Sequence, residues 1–458
     1  MKKILFILAI LSCKPMFGQY TAIDSALTVT FFNEALSSRI AYEQLEYLCT
    51  NIGGRICGST EAAAAVEYTY QIMLSMPFDT VIKQETMVAA WKRGKQEDGR
   101  IISDVYGQAP ARVCALGGSV GTGFPGITAQ VIEVKSIDEL KSMKPEQVKG
   151  KIVFFNKPFS THHYYTFTSY GEVASMRFHG ASEAADLGAA GIVVRSMTHA
   201  IDTFPHTGVM RYKDMHKAIP AFAISTYDAN ILSAWMKNDP SLRLYLESHC
   251  YQLPDVPSHN VIGEIRGSTH PERIITVGGH LDSWDVGHGA HDDGVGCIQS
   301  IEVARLFFAL GIQPHNTIRI VMFMDEEMYQ RGAATYAEET ITKGEVHYFA
   351  LESDRGGFTP HGFSVDADEQ FIEAVEKWYG IMKSYGIWQL QRGYSGVDIF
   401  PLKQKYGTPL AALITDSQRY FDYQHAASDT FDKVNIREMQ LGSAAMAVFV
   451  FFVDKYGY

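Results

Sequence analysis

From Ser258 to the C-terminus, apolar runs of six to eight residues alternate with stretches whose apolar positions recur every three or four residues. RIITVG at 273–278, TIRIVMFM at 317–324, VHYFAL at 346–351 and the run at 409–414 are short and rich in branched side chains. Each predicts a strand buried on both faces. Between and after them, 294–310, 333–341, 369–379 and 436–453 carry helical spacing. Strand and helix in alternation predict an α/β domain with a mostly parallel sheet flanked by helices. Sites in such sheets gather beyond the carboxyl ends of the strands.

Residues 110–250 have a different texture: GKIVFFNKP, GAAGIVVRS and AIPAFAIS, separated by polar loops that contain histidines. In that order the three pieces resemble a protease-associated domain, the β-rich insert of several exported peptidases. The resemblance implies an insert at 109–251 and a discontinuous main domain made of 19–108 and 252–458, with 52–73 as a loop and helix of the latter. A chain of 458 residues suits two domains.

The N-terminus changes the picture of where the chain works. Lys2 and Lys3 precede an apolar run from Ile4 to Leu11, and Gly18 offers a small residue for cleavage. Residues 1–18 therefore predict a secretory signal peptide, too short to span a bilayer, and an exported protein, periplasmic or secreted. The residues before Cys13 fit a lipoprotein anchor poorly, and no later segment reads as a membrane span. Removing 1–18 takes away Lys2, Lys3 and Lys14, so the net charge falls from -11 to -14. That sign argues against nucleic acid and anionic membrane surfaces as partners. Beyond Cys13 there are five cysteines: Cys49 and Cys57 are close enough to pair, and Cys297 reads as a buried thiol. None of them points to a function.

Chemistry concentrates where strands end. His280 follows the first predicted strand, and Asp282, two residues on, shares its side in an extended backbone. Asp292 and Asp293 open the next helix, where the helix dipole favours carboxylates. Asp325, Glu326 and Glu327 follow the second strand, Glu352, Ser353 and Asp354 the third, and His425 lies in YFDYQHAASDT. Any one acidic pair is more often a helix cap or a solvated loop. Lone histidines such as His288 and His291 are more often hydrogen-bonded surface or core residues, and Asp285 has no evident role. Recurrence at equivalent ends of one sheet outweighs that reading and predicts one shared crevice. Two imidazoles with several carboxylates form a nitrogen and oxygen set suited to zinc. The acids are too many for one ion and would serve two, about 3.5–4 Å apart, sharing a carboxylate. No Gly-x-Ser-x-Gly elbow and no His-Glu-x-x-His helix is present.

The order HLD, GAHDDG, DEE, ESD, QHAASDT resembles the co-catalytic zinc exopeptidases of the aminopeptidase and glutamate carboxypeptidase family, over essentially the whole mature chain. The resemblance implies two zinc ions, with other divalent metals left open. It gives one ion to His280 and Asp354, the other to Glu327 and His425, and makes Asp292 the bridge. It makes Glu326 the general base and Asp282 the acid that orients His280, and joins Asp293 to Asp292 through a cis bond. Arg355, directly after ESD, departs from the pattern. A cleft so acidic welcomes an ammonium group, which predicts hydrolysis of dipeptides or short peptides from the free N-terminus. A carboxypeptidase would need a fixed guanidinium; Arg355, Arg392 and Arg419 are near in sequence but read equally well as surface residues. A glutamate-type carboxypeptidase, a glutaminyl cyclase and an inactive binding homologue are the alternatives. The expected partner is a peptide substrate, and both a monomer and a homodimer stay open.

Overall fold

The computed structural model describes residues 20–457; the signal peptide expected at 1–18 and Cys13 lie outside the described residues. The long apolar runs assemble one eight-stranded sheet. Its strands are β1 (Thr80–Lys92), β2 (Tyr251–Ile265), β3 (His270–His280), β4 (Asn316–Phe323), β5 (Val346–Glu352), β6 (Pro360–Asp366), β7 (Gln389–Arg392) and β8 (Leu410–Thr415). Across the sheet they lie in the order β1-β2-β4-β3-β5-β8-β6-β7. The four central strands β4, β3, β5 and β8 run parallel, and all four are deeply buried, as their near-continuous apolar runs require. Antiparallel pairs β1/β2, β2/β4 and β6/β8 flank them, so the sheet is parallel at its centre and mixed at its edges. Strands β6 and β7 carry glycine, histidine or glutamine in place of a clean apolar run, and no pattern announced them.

Helices pack on both faces of the sheet: α1 (Ala22–Ser37), α2 (Thr60–Leu74), α3 (Val295–Ala309), α4 (Arg331–Lys343), α5 (Glu369–Tyr379) and α6 (Ile436–Tyr456). Side-chain caps mark several starts: Ser59 accepts the Ala62 amide at 3.0 Å, and Asp368 accepts that of Phe371 at 2.9 Å. Helix α6 corrects one expectation. Its 21 residues are long and apolar enough to cross a membrane by length and composition. It is apolar nearly all round because it lies in the core, packed against α3 and α1.

A second eight-stranded sheet takes its strands from 98–103, 107–110, 113–115, 127–134, 152–155, 191–195, 221–224 and 243–247. The three apolar pieces of the expected insert form 152–155, 191–195 and 221–224, adjacent and parallel. Two differences from expectation follow from the pairing. Strands 98–103 and 107–110 belong to this sheet, so the chain leaves the main sheet after Lys92 and not at 109. The unit is also α/β rather than mainly β: helices Ala174–Asp186 and Thr226–Met236 cover it. In ASMRFHGASEAAD, small and polar residues outnumber apolar ones and hide the helical period. Segments of this unit reach the main sheet's carboxyl edge, where Phe167 and Tyr170 pack on Phe421.

Candidate metal centre and active site

Strands β3, β4 and β5 deliver His280, the turn Asp325–Glu327 and Asp354 to one edge of the sheet, because His280 stands in register with Phe323 and Gly278 with Glu352. Two side chains come from turns with unusual backbone. Asp325 and His425 have φ of 72° and 61°, uncommon for residues other than glycine and typical of functional turns. The Asp292–Asp293 peptide is cis, as the resemblance implied. Asp293 anchors that loop: one carboxylate oxygen accepts the His280 amide at 3.1 Å and the other accepts the Gly296 amide at 3.1 Å, at the foot of α3. Gly296 permits this approach, since a Cβ there would lie 1.9 Å from the Ser353 carbonyl oxygen.

The five expected ligands meet. The Nε2 atom of His280 lies 3.2 Å from Asp292 and 3.4 Å from Asp354. That of His425 lies 3.1 Å from Asp292 and 3.1 Å from Glu327. Asp292 thus faces both imidazoles with different oxygens, while Asp354 lies beside His280 and Glu327 beside His425. The set also fits metal by what it lacks: Glu327 Oε1 is buried with no hydrogen-bond partner, and Asp292 Oδ2 and Asp354 Oδ1 face nothing but the two imidazoles among the described residues. Buried lone pairs of this kind are costly unless a cation or proton takes them. His280, Asp292 and Glu327 offer ligand atoms within 4.8 Å of one another, a spacing that can hold an ion.

Charge reinforces the geometry. Burial drives both imidazoles toward neutrality, but the surrounding carboxylates win: Glu327 and Asp292 raise His425 to about 10, and Asp354 and Asp292 raise His280 well above its usual range. Burial would raise Asp292 too, yet the two imidazoles hold it well below the ordinary carboxylate range. Protonated, the two imidazoles supply the positive charge that the buried carboxylates around them call for. Glu326 lines the cavity with no side-chain hydrogen bond among the described residues; burial, with Glu327 and Asp354, raises it well above normal against the opposing pull of His280.

Asp282 is fully buried beside the cluster, but its carboxylate does not orient His280. Its two oxygens accept the amides of Glu326 at 3.1 Å and Glu327 at 3.3 Å. The Nδ1 atom of His280 instead meets the main-chain carbonyl of Asp282 at 2.9 Å. The correction follows from direction: a short side chain two residues past the strand reaches the neighbouring turn more easily than back to the ring.

Other acids, histidines and cysteines near these motifs have structural partners. Asp285 pairs with Arg93 at 2.7 Å, and His288 accepts the Phe431 amide at 3.2 Å. His291 accepts the Gly357 amide at 3.1 Å, stacks on Phe358, and is kept neutral by burial, down to about 3. Glu352 accepts the amides of Val397, Asp398 and Ile399, each at 3.0 Å, and so holds a cleft loop. Cys297 is a buried thiol, donating to the His280 carbonyl oxygen at 3.0 Å, and Cys49 and Cys57 are both free.

Three contributors were missed. Asp429, in the same late motif as His425, accepts the amides of His291 at 2.8 Å and Asp292 at 3.2 Å. Arg55 is fully buried and donates to the carbonyls of Leu281 at 2.6 Å, His288 at 2.8 Å and Gly289 at 3.0 Å, stapling the loop between His280 and Asp292. Arg177, from the second unit, reaches the edge of this cluster, one terminal nitrogen standing 3.5 Å from His425 Nδ1. Asp429 was legible in AASDT; the two arginines lie far from any motif. Segments of both units wall a cavity of about 550 Å³, whose lining includes Phe167, Arg177, Glu326, Asp354, Arg355 and His425.

Comparison with known proteins shows the family and the fold. The family model described as peptidase family M28 matches residues 260–450. The chain is similar to carboxypeptidase Q of Bos taurus, 31% identical over 429 residues, covering 94% of this chain and 88% of the relative. A solved peptidase M28 precursor from Shewanella amazonensis SB2B is 33% identical with TM-score 0.88, covering 94% of this chain and 96% of that one. The zinc aminopeptidase BSAP from Bacillus subtilis shares the fold, with TM-score 0.62 at 19% identity over 90% of this chain and 94% of that one.

Proposed function

The chain belongs to peptidase family M28, and from that premise we propose that it hydrolyses dipeptides or short peptides, releasing the residue that carries the free N-terminus. It is a metallo-exopeptidase, a hydrolase. The observation that carries the finer reading is the cluster itself: Asp292 between two imidazoles, with Glu327 and Asp354 on either side and one buried Glu327 oxygen left without a partner. We assign His280 and Asp354 to one zinc, Glu327 and His425 to the other, and Asp292 to both, other divalent ions being acceptable to the same donors.

Held by these five residues, a pair of cations would polarise the scissile carbonyl and make the attacking water more acidic. The rest falls to side chains. Glu326, unpaired and with a raised proton affinity, takes the proton of the attacking water and returns it to the leaving amine. Asp282 fixes the main chain of that turn, so Glu326 and Glu327 keep their separate tasks. The second unit roofs the cavity, which limits substrate length; we read it as a protease-associated domain. Residues 1–18 support export, and the net negative charge supports a peptide rather than a nucleic acid or anionic membrane as partner.

A carboxypeptidase acting on N-blocked peptides is the second reading, favoured by one observation, the guanidinium of Arg177 at the cluster's edge. Rates on a dipeptide and its N-acetyl form decide between them. Faster cleavage of the free dipeptide supports the proposal; faster cleavage of the acetylated one replaces it. Release of pyroglutamate from a Gln-initiated peptide would instead mark a glutaminyl cyclase.

A further inference from the structure

The two imidazoles of the cluster are steered from different parts of the chain. His280 turns its Nδ1 to the main-chain carbonyl of Asp282, two residues away at the same strand end, at 2.9 Å. His425 finds its partner elsewhere. Among the described residues, its Nδ1 meets the Thr207 carbonyl oxygen at 3.3 Å and a terminal nitrogen of Arg177 at 3.5 Å, both from the second unit. A guanidinium only donates, so the carbonyl is the one acceptor there; the ring donates from Nδ1 and leaves Nε2 to face Asp292 and Glu327. The main chain is tied the same way, the Thr207 amide donating to the His425 carbonyl oxygen at 2.9 Å. His425 itself sits at φ 61°, a conformation that persists only where its surroundings fix it. The holding loop is in turn anchored within its own unit. Thr207 is fully buried, its hydroxyl donates to the Ala115 carbonyl at 2.8 Å, and the Gly117 amide donates to the Gly208 carbonyl at 3.0 Å. Gly208 lies at φ 133°, and a Cβ there would stand 2.5 Å from the Arg177 guanidinium carbon. Trp284 packs on the His425 ring at 5.7 Å and occupies the space above Gly117, where a Cβ would lie 1.8 Å from its ring.

We propose that the second unit is a working part of the metal centre: the Thr207 carbonyl is the positioning group of His425, so the ion assigned to His425 and Glu327 depends on the docked loop 206–208, whereas the ion assigned to His280 and Asp354 does not. The inference rests on the metal assignment above and deepens it. An imidazole whose second nitrogen is bonded keeps one tautomer and one orientation, and losing such a partner costs about 10–100-fold in metal affinity. The dependence is reciprocal: what the docked loop adds to metal affinity, bound metal returns to the docking of the loop. One site is built within a single unit and the other closes only across two. Metal at the second site thereby latches the roof of the cavity.

Gly208→Ala tests this directly, because a Cβ at that φ displaces the peptide carrying the Thr207 carbonyl and alters no ligand. Zinc is titrated against a chromophoric chelator into the metal-free full chain, as wild type, Gly208→Ala and Ser103→Ala. The last removes a bond to Asp239, 2.7 Å long, and so loosens the same unit at its far hairpin. Gly208→Ala should weaken one of the two zinc equivalents by about 10–100-fold and leave the other unchanged. Ser103→Ala should lower thermal stability and leave both unchanged. Added to His425→Ala, Gly208→Ala should have no further effect on metal; added to His280→Ala, it should still weaken the equivalent that remains. If Gly208→Ala does not fold, Thr207→Val, which removes only the hydroxyl anchored on Ala115, should weaken the same equivalent by a smaller factor. In wild type, saturating zinc should slow amide exchange in 206–210 and leave 98–110 unchanged. Equal weakening of both equivalents, or the same loss in Ser103→Ala, would overturn the proposal in favour of a merely structural role. Wild-type affinity at both equivalents in a folded Gly208→Ala, or exchange in 206–210 that zinc leaves unaltered, would overturn it outright. A wild type that takes up no zinc would instead sink the metal assignment itself.

Discussion

Replacing Asp282 with Asn separates two accounts of one buried residue. In the structure its carboxylate spans the amides of Glu326 and Glu327 at 3.1 and 3.3 Å, and touches His280 only through its main-chain carbonyl. Asparagine keeps the shape but turns one acceptor into an NH₂ donor, so one of the two amides faces a donor inside the protein. A hydrogen bond to a charged acceptor contributes about 1.5–3 kcal/mol, and a buried donor left unpaired costs about 1–3 kcal/mol. Together that is about 2.5–6 kcal/mol, concentrated on the turn that carries Glu326, the proposed general base. Part appears as lost stability, roughly 3–5 °C in Tm for a chain this long. The remainder appears as misplacement of Glu326, lowering kcat on the order of 10²-fold. Turnover of a dipeptide, metal content and thermal unfolding of the same preparation measure all three. The reasoning fails if Asp282→Asn keeps wild-type kcat when saturated with metal but binds metal far more weakly, because Asp282 would then serve His280.

Glu326→Gln removes the proton acceptor without changing shape, so metal should stay while turnover falls on the order of 10²–10⁴-fold; Glu327→Gln should lose metal first, and the opposite pattern in elemental analysis would exchange the two roles. Metal affinity should rise with pH, because in the metal-free protein Glu327 and Asp292 keep His425 protonated up to about 10. Each proton displaced makes binding roughly tenfold tighter per pH unit below that value, and chelator competition from pH 6.5 to 9 would show a flat profile if the histidines were already neutral. The same shift has a stability sign: a histidine raised from its unfolded value near 6.5 stabilises the metal-free fold fully below pH 6.5, and that contribution is lost as pH climbs through 10. Thermal scans should show the metal-free form weakening over that window more than the loaded form.

Much of the catalytic edge was legible because its logic is local. Four apolar runs had to be strands, and in a parallel sheet their carboxyl ends share one side, so HLD, DEE and ESD were bound to meet. His425 and Asp292 followed from their motifs. What stayed hidden depends on long-range direction. The Asp282 carboxylate could be placed only once the neighbouring strand's turn was in position. Arg55 and Arg177 act from segments more than a hundred residues away in sequence, where a lone arginine carries no pattern. Strands β6 and β7 are specified by pairing with β8 and with each other rather than by their own residues. Helix α6 mimics a membrane span because the core asks of it the same all-round apolarity that lipid would.

The central claim is a pair of ions sharing Asp292. It is tested most directly by titrating zinc into the metal-free full chain while dipeptide turnover is followed. The account predicts that activity climbs to its plateau at two equivalents per chain. It also predicts that Asp292→Asn, which weakens the donor common to both sites, disturbs both equivalents together. Full activity at one equivalent, with Asp292→Asn affecting a single site, would contradict it.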